Sequence, residues 1–189
     1  MTSRTTDTKL DPVLLHRWSP RAFDASTVPH EDLAAIIDAA RWAPSAMNYQ
    51  PWRFLYAERG DENWDRFLSL LLPGNSVWAQ NASVLFFVLS ERVMGERPSY
   101  THSFDAGAAW ALLAVQAAKL GYHTHGMAGV DFARAAQELG VPETFKIDAA
   151  IALGRIADPS ILSETLQARE VPSGRKPREE IAYPGNFRS

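Results

Sequence analysis

Leu33, Ile36, Ile37 and Ala40 recur at i, i+3, i+4 and i+7, which lays one apolar stripe along a helix running to about Trp42, where Pro44 stops it. Upstream, Asp11-Pro12 predicts a short helix through Arg17, because proline at the first helical position loses nothing by lacking an N–H. Pro20 ends it. Residues 53–57 and 83–90 read as strands, and the second, SVLFFVLS, is apolar on both faces, which predicts a central position in a sheet. Between them residues 62–72 carry a helical pattern and Pro73-Gly74-Asn75 reads as a turn. Residues 103–120 are rich in alanine, apolar almost all round and followed by Gly121 at a helix-ending position. They predict a buried central helix whose small residues also suit close packing against a helix of a second subunit. Residues 122–127 predict a short strand, Asp131 caps a helix through Leu139, and residues 147–153 form another buried strand ending at Gly154.

The order of these elements predicts an α+β fold, helices around a mixed β-sheet, as one domain over residues 1–189. The polar residues 1–10 are expected to be flexible. Six prolines and glycines among residues 157–189 argue for an extended C-terminal arm lying on a neighbour or on the chain's own core.

A length of 189 residues with 46% hydrophobic and 22% charged residues suits one globular core and excludes a disordered chain. Nineteen basic against twenty-two acidic residues leave a net charge of -3, so no basic field exists to hold nucleic acid. The longest apolar stretch, residues 106–115, is shorter than the roughly 18 residues of a membrane span. The polar start MTSRTTDTKLDP lacks the apolar core of a signal peptide, so a soluble, cytoplasmic protein is expected. With no cysteine, thiol nucleophiles and thiolate metal sites are excluded, and redox chemistry here requires a bound cofactor.

Two segments carry candidate chemistry. Arg17-Trp18-Ser19-Pro20-Arg21 places two guanidiniums and a hydroxyl where the chain turns, a set matched to phosphate or carboxylate oxygens. The plain alternative is two solvated arginines in a turn. Residues 43–52, APSAMNYQPW, form a stiff irregular loop whose Ser, Asn and Gln beside aromatic rings could present fixed hydrogen bonds to a flat heterocycle. Its alternative is an ordinary helix-to-strand connection with an Asx turn at Asn48. His102, His123 and His125, with Asp105 or Asp131, suggest a metal hydrolase, but His123-x-His125 lacks a third ligand at a diagnostic spacing. They read better as partly exposed or hydrogen-bonded histidines. Trp52 and Trp110 are expected in the core.

Taken in order, these segments make the chain resemble the FMN-dependent nitroreductase family. The resemblance covers Arg17, Ser19 and Arg21, the A-P-S-x-x-N-x-Q-P-W run, SVLFFVLS, the alanine-rich helix, GMAGVD at 126–131, the strand ending in Gly154 and P-S-G-R-K-P at 172–177. It implies a nitroreductase-like fold in an intertwined homodimer with FMN at the interface. Arg17, Ser19, Arg21 and Arg175 match the family's ligands for the phosphate, ribityl chain and pyrimidine edge, and Arg21 is placed to favour the reduced flavin. Pro44, Ser45 and Asn48 match the segment supplied by the partner chain. Ala128 and Gly129 match the stretch along the flavin's N5 and O4 side, and Asn75 matches a side chain aimed at the pyrimidine ring. Tyr49, Tyr100 and Phe104 are candidates for the open flavin face or for packing.

This chain has Arg21 where lysine is frequent, Ala46 where a second serine is, and Ala128 where glutamate is. Either cation can face a flavin, and the backbone N–H at 128 remains. The implied function is transfer of hydride or electrons from NADH or NADPH through FMN to a small acceptor such as a nitroaromatic, quinone or enone, by a ping-pong mechanism with no catalytic side chain and no metal. The alternative is a flavin- or small-ligand-binding module without turnover.

Overall fold

A computed structural model describes Arg4 and residues 6–187. Part of the segment expected to be flexible, residues 1–3 and 5, lies outside them. The chain begins with α1 (Pro12–His16), capped by the Asp11 carboxylate accepting from the Val13 N–H, and α2 (His30–Arg41), which buries Leu33, Ile36 and Ala40. An irregular loop leads into β1 (Trp52–Glu58), followed by α3 (Trp64–Ser69), α4 (Pro73–Ala79) and β2 (Val84–Glu91). A minimal hairpin of β3 (Val93–Met94) and β4 (Arg97–Pro98) precedes α5 (His102–Lys119), β5 (His123–Met127), α6 (Phe132–Glu138) and β6 (Phe145–Gly154). The arm contains one short α-helix, α7 (Glu164–Gln167), flanked by single 3-10 turns at Pro159–Ile161 and Arg178–Glu180.

The main sheet has the order β1-β2-β6-β5. Every neighbouring pair is antiparallel, so the sheet formed by the described residues is antiparallel and not mixed as expected. The strand predicted to be central is central. Seven of the eight residues of β2 are buried because helices cover both faces. Val84, Phe86 and Val88 pack with Leu33, Ile36, Ala109 and Leu113 of α2 and α5. Leu85, Phe87 and Leu89 pack with Phe67, Trp78 and Ala135 of α3, α4 and α6 on the other face. A β-bulge between Val88 and Leu89 interrupts the register against β6.

Three local expectations change. Pro73-Gly74-Asn75 opens α4 instead of forming a turn, since Pro73 occupies a first-turn position behind the extended Leu72. The preceding helix is confined to 64–69, because the Asp61 carboxylate accepts from the Asn63 and Glu58 N–H groups and holds that stretch in a turn. Trp110 is half-buried, whereas Trp52 is in the core. The Trp110 indole fills the space over Gly126, where a Cβ would approach it to 2.8 Å.

The helix α5 is the main partner of α2, but it is not buried all round: Phe104, Gly107 and Ala111 remain exposed. Its start is tied to the sheet, since the His102 Nδ1 bonds the Ser90 hydroxyl and Ser103 donates to Asp148, itself paired with Lys146. Burial pushes the Asp148 pKa up, but hydrogen bonds from Lys146, Ser90 and Ser103 outweigh it and the net shift is downward. Among the described residues no helix is long and apolar enough to cross a membrane.

Candidate functional site

Beyond β6 the chain pairs with the segment that follows α1. Phe23 bridges Ile156, the Asp24 N–H donates to the Arg155 carbonyl, and the Ala157 N–H donates to the Ala22 carbonyl. This pairing brings the two ends of the chain together beyond the end of β6. Glu170 completes the join. Its Oε1 accepts from the backbone N–H groups of Arg21 at 2.6 Å and Ala22 at 2.8 Å, and its Oε2 lies 3.9 Å from the Arg21 guanidinium. The residue is 7% exposed, and hydrogen bonds of this charged kind contribute about 1.5–3 kcal/mol each.

A cleft of about 340 Å³ results, and Arg17, Ser19, Arg21 and Arg175 all line it. The structure thus gathers four of the sequence-predicted residues. Arg4, Arg169 and His125 also line the cleft, none of them singled out as anion ligands from the sequence. Among the described residues, Glu170 is the only carboxylate paired with these five guanidiniums. Burial and then repulsion act on the acidities of Arg17 and Arg21. Burial lowers the pKa of Arg17 and Arg175 lowers it further, while Arg21 is lowered by burial and by Arg169, with Glu170 opposing. All remain cations at neutral pH. Arg4, Arg17 and Arg21 are half-buried, whereas Arg169 and Arg175 are exposed. Like charges gathered in this way repel one another unless an anion enters, and bidentate contacts to phosphate oxygens would satisfy several at once.

The two histidines of β5 share one face because they are two residues apart on a strand. Burial lowers the pKa of both, with Arg17 adding to the effect at His123 and Arg21 at His125, while the Pro20 carbonyl opposes it at His125. Such a cationic setting disfavours a metal cation. Among the described residues no group of three or more histidine, aspartate and glutamate side chains is placed to hold one.

His125 links the cleft to a second group of predicted residues. Its ring packs against Trp78 at 4.7 Å, and the Trp78 Nε1 donates to the Gly74 carbonyl next to Asn75. The Asn75 Nδ2 donates to the Gly129 carbonyl at 3.1 Å, and the Leu72 N–H shares that acceptor at 3.0 Å. A Cβ on Gly129 would collide with the Asn75 amide, so only glycine permits this contact. Ala128, one residue earlier, is exposed at the end of the edge strand.

Pro44, Ser45 and Asn48 do not line the cleft. They belong to a loop in which Met47, Asn48 and Gln50 have φ of 53°, 55° and 54°, the left-handed region that side chains disfavour. Short polar contacts hold it. The Ser45 hydroxyl accepts from the Gln50 N–H at 3.0 Å, and the buried Asp105 carboxylate accepts from the Ala46 N–H at 3.2 Å and from Thr101 at 3.0 Å. Around this loop Trp42, Met47, Tyr100 and Phe104 are 78%, 86%, 93% and 79% exposed. Large apolar groups so grouped mark a surface for another molecule.

A fold of this kind has counterparts among known proteins. A profile of the nitroreductase family matches residues 14–75. A solved structure of an oxidoreductase containing FMN is 52% identical, with a TM-score of 0.94 over 98% of this chain and 96% of that one. An uncharacterized 15.4 kDa protein of Mycolicibacterium smegmatis is 35% identical over 69% of this chain and 88% of its own. A Rhodopseudomonas palustris protein, provisionally named NADH dehydrogenase/NAD(P)H nitroreductase, is 32% identical over 40% of this chain and 38% of its own. This chain belongs to the nitroreductase family.

Proposed function

We propose that the cleft binds FMN and that the protein is an oxidoreductase using NADH or NADPH to reduce a small acceptor such as a nitroaromatic, quinone or enone, by ping-pong turnover in the cytoplasm. The observation that carries this reading is the convergence of Arg17, Ser19, Arg21 and Arg175, from both ends of the chain, on one cleft. The donor set fits the group, since a phosphate near a double negative charge would offset the surplus of guanidiniums. Similarity to an oxidoreductase containing FMN at 52% identity adds the flavin, and the name of the Rhodopseudomonas palustris relative adds the nicotinamide reductant.

Bound FMN would supply reversible hydride acceptance, which no side chain of a cysteine-free chain offers. Arg17 and Arg175 would hold the phosphate with Ser19 as a neutral donor, and Arg21 would offset negative charge developing on the ring system. Asn75, fixed through Gly129, keeps its Oδ1 for a ring N–H, and the backbone at Ala128 and Gly129 would line the ring's reactive edge. Pro44, Ser45 and Asn48 would serve the site of a partner chain, making the unit a homodimer. The exposed Trp42, Met47, Tyr100 and Phe104 favour that assembly, because a lone chain leaves them in water.

Purified protein is expected to be yellow, to bleach under anaerobic NADH or NADPH, and to recover its colour on addition of an acceptor. A colourless protein that takes up no added FMN overturns the proposal. NAD(P)H consumption that ignores added acceptors would instead favour a binding module without turnover.

A further inference from the structure

The cleft holds one titratable group that the phosphate-binding arginines leave without a task. His125 lines it, with its ring packed on Trp78 and its Nδ1 2.9 Å from the Pro20 carbonyl oxygen. A carbonyl only accepts, so Nδ1 carries the hydrogen and Nε2 holds the lone pair of the neutral ring. We propose that His125 is a further ligand of the phosphorylated ligand, and that its Nε2 takes up a proton from solvent as the phosphate enters. Phosphate recognition is then coupled to one proton, which riboflavin, lacking the phosphate, cannot drive. The inference rests on the cleft being the FMN site.

The charged surroundings explain the coupling. Arg21 faces the ring from the segment after α1, and Arg169 and Arg175 extend the positive field from the arm. On β5 itself His123 lies beside Arg17, and α4 contributes only the uncharged Trp78. Glu170 and the Pro20 and Ser19 carbonyls favour the protonated ring, but burial and Arg21 prevail, and the ring's pKa falls below its ordinary value. A phosphate dianion reverses the local field, and the desolvated imidazolium then gains a charge-assisted hydrogen bond. No covalent bond changes; imidazole becomes imidazolium at the expense of a solvent proton.

Nuclear magnetic resonance of the His125 ring in the full chain, with inorganic phosphate, FMN and riboflavin as separate probes, decides the matter. The ring should be neutral at about pH 7 in the free protein, protonated with phosphate or FMN, and neutral with riboflavin. FMN binding should weaken by up to about tenfold per unit between about pH 7 and 8.5, a range above the ligand's own ionisation near 6. His125→Gln should abolish that slope, and if this variant fails to fold the wild-type ring titration still decides. A ring that stays neutral in the FMN complex, or an unchanged slope in His125→Gln, overturns the inference. Protonation by inorganic phosphate in a protein that refuses FMN would uphold the proton coupling and overturn the flavin assignment.

Discussion

The arginine cleft and the loop at residues 44–50 are both unfinished, but in opposite currencies. The cleft is assembled within one chain from residues far apart in sequence, held by Glu170 and the pairing of 22–24 with 155–157, and what it lacks is negative charge. The loop is built from neighbours, carries three left-handed non-glycine residues, and is surrounded by exposed aromatic and apolar side chains. It lacks a covering surface. Electrostatic surplus selects an anion, whereas exposed apolar area selects a protein, and in the proposed homodimer a second chain would bring its loop to the first chain's cleft.

The largest effect expected comes from denying the loop its cover. Phe104→Asp places a charge on the open face of α5, and if the proposed homodimer forms through that face, light scattering should report a dimer for the parent protein and monomers for the variant. Retention of the dimer would put the subunit contact elsewhere. Next, Arg21→Ala and Arg175→Ala should each weaken FMN binding by about 10- to 100-fold, the worth of a charge-assisted hydrogen bond of about 1.5–3 kcal/mol. Unchanged flavin occupancy in both would detach the cleft from the phosphate.

A smaller change should separate local strain from assembly. Met47→Gly at φ 53° should raise the stability of the isolated chain by about 1 kcal/mol in denaturant, because glycine removes the left-handed penalty. The same variant should loosen the dimer if Met47 is covered there. Smallest is a pH effect in the flavin-free protein. His123 and His125 have folded pKa values below the ordinary 6.5, so the unfolded chain binds more protons. Stability is therefore complete above that value and declines as pH falls below it, which thermal unfolding between about pH 7 and 5 would record. A slope of the other sign would mean that the rings are protonated in the fold.

Much of the architecture was legible along the chain because it is periodic. The stripe of Leu33, Ile36 and Ala40, the two-sided apolarity of 84–90 and the stop at Gly121 each state their environment locally, and α2, β2 and α5 follow. Pro-Gly-Asn suits a turn and a helix start equally, and only the extended Leu72 before it sets the start of α4. Glu170, Arg169 and Arg4 carry no local signal. Each is an ordinary surface residue until the arm folds back. The His123-x-His125 spacing suits a metal ligand, but the neighbours of His125 are guanidiniums.

Residue order alone determined the helices and strands, the irregular loop before β1, and the family to which the chain belongs, because backbone propensity, apolar period and short motifs act between near neighbours. The gathering of Arg17, Arg21, Arg169 and Arg175 around one cleft, and the setting of His125 among them, were decided only in three dimensions. Charges act through space over several ångströms, and which charges share that space depends on how the sheet brings distant segments side by side.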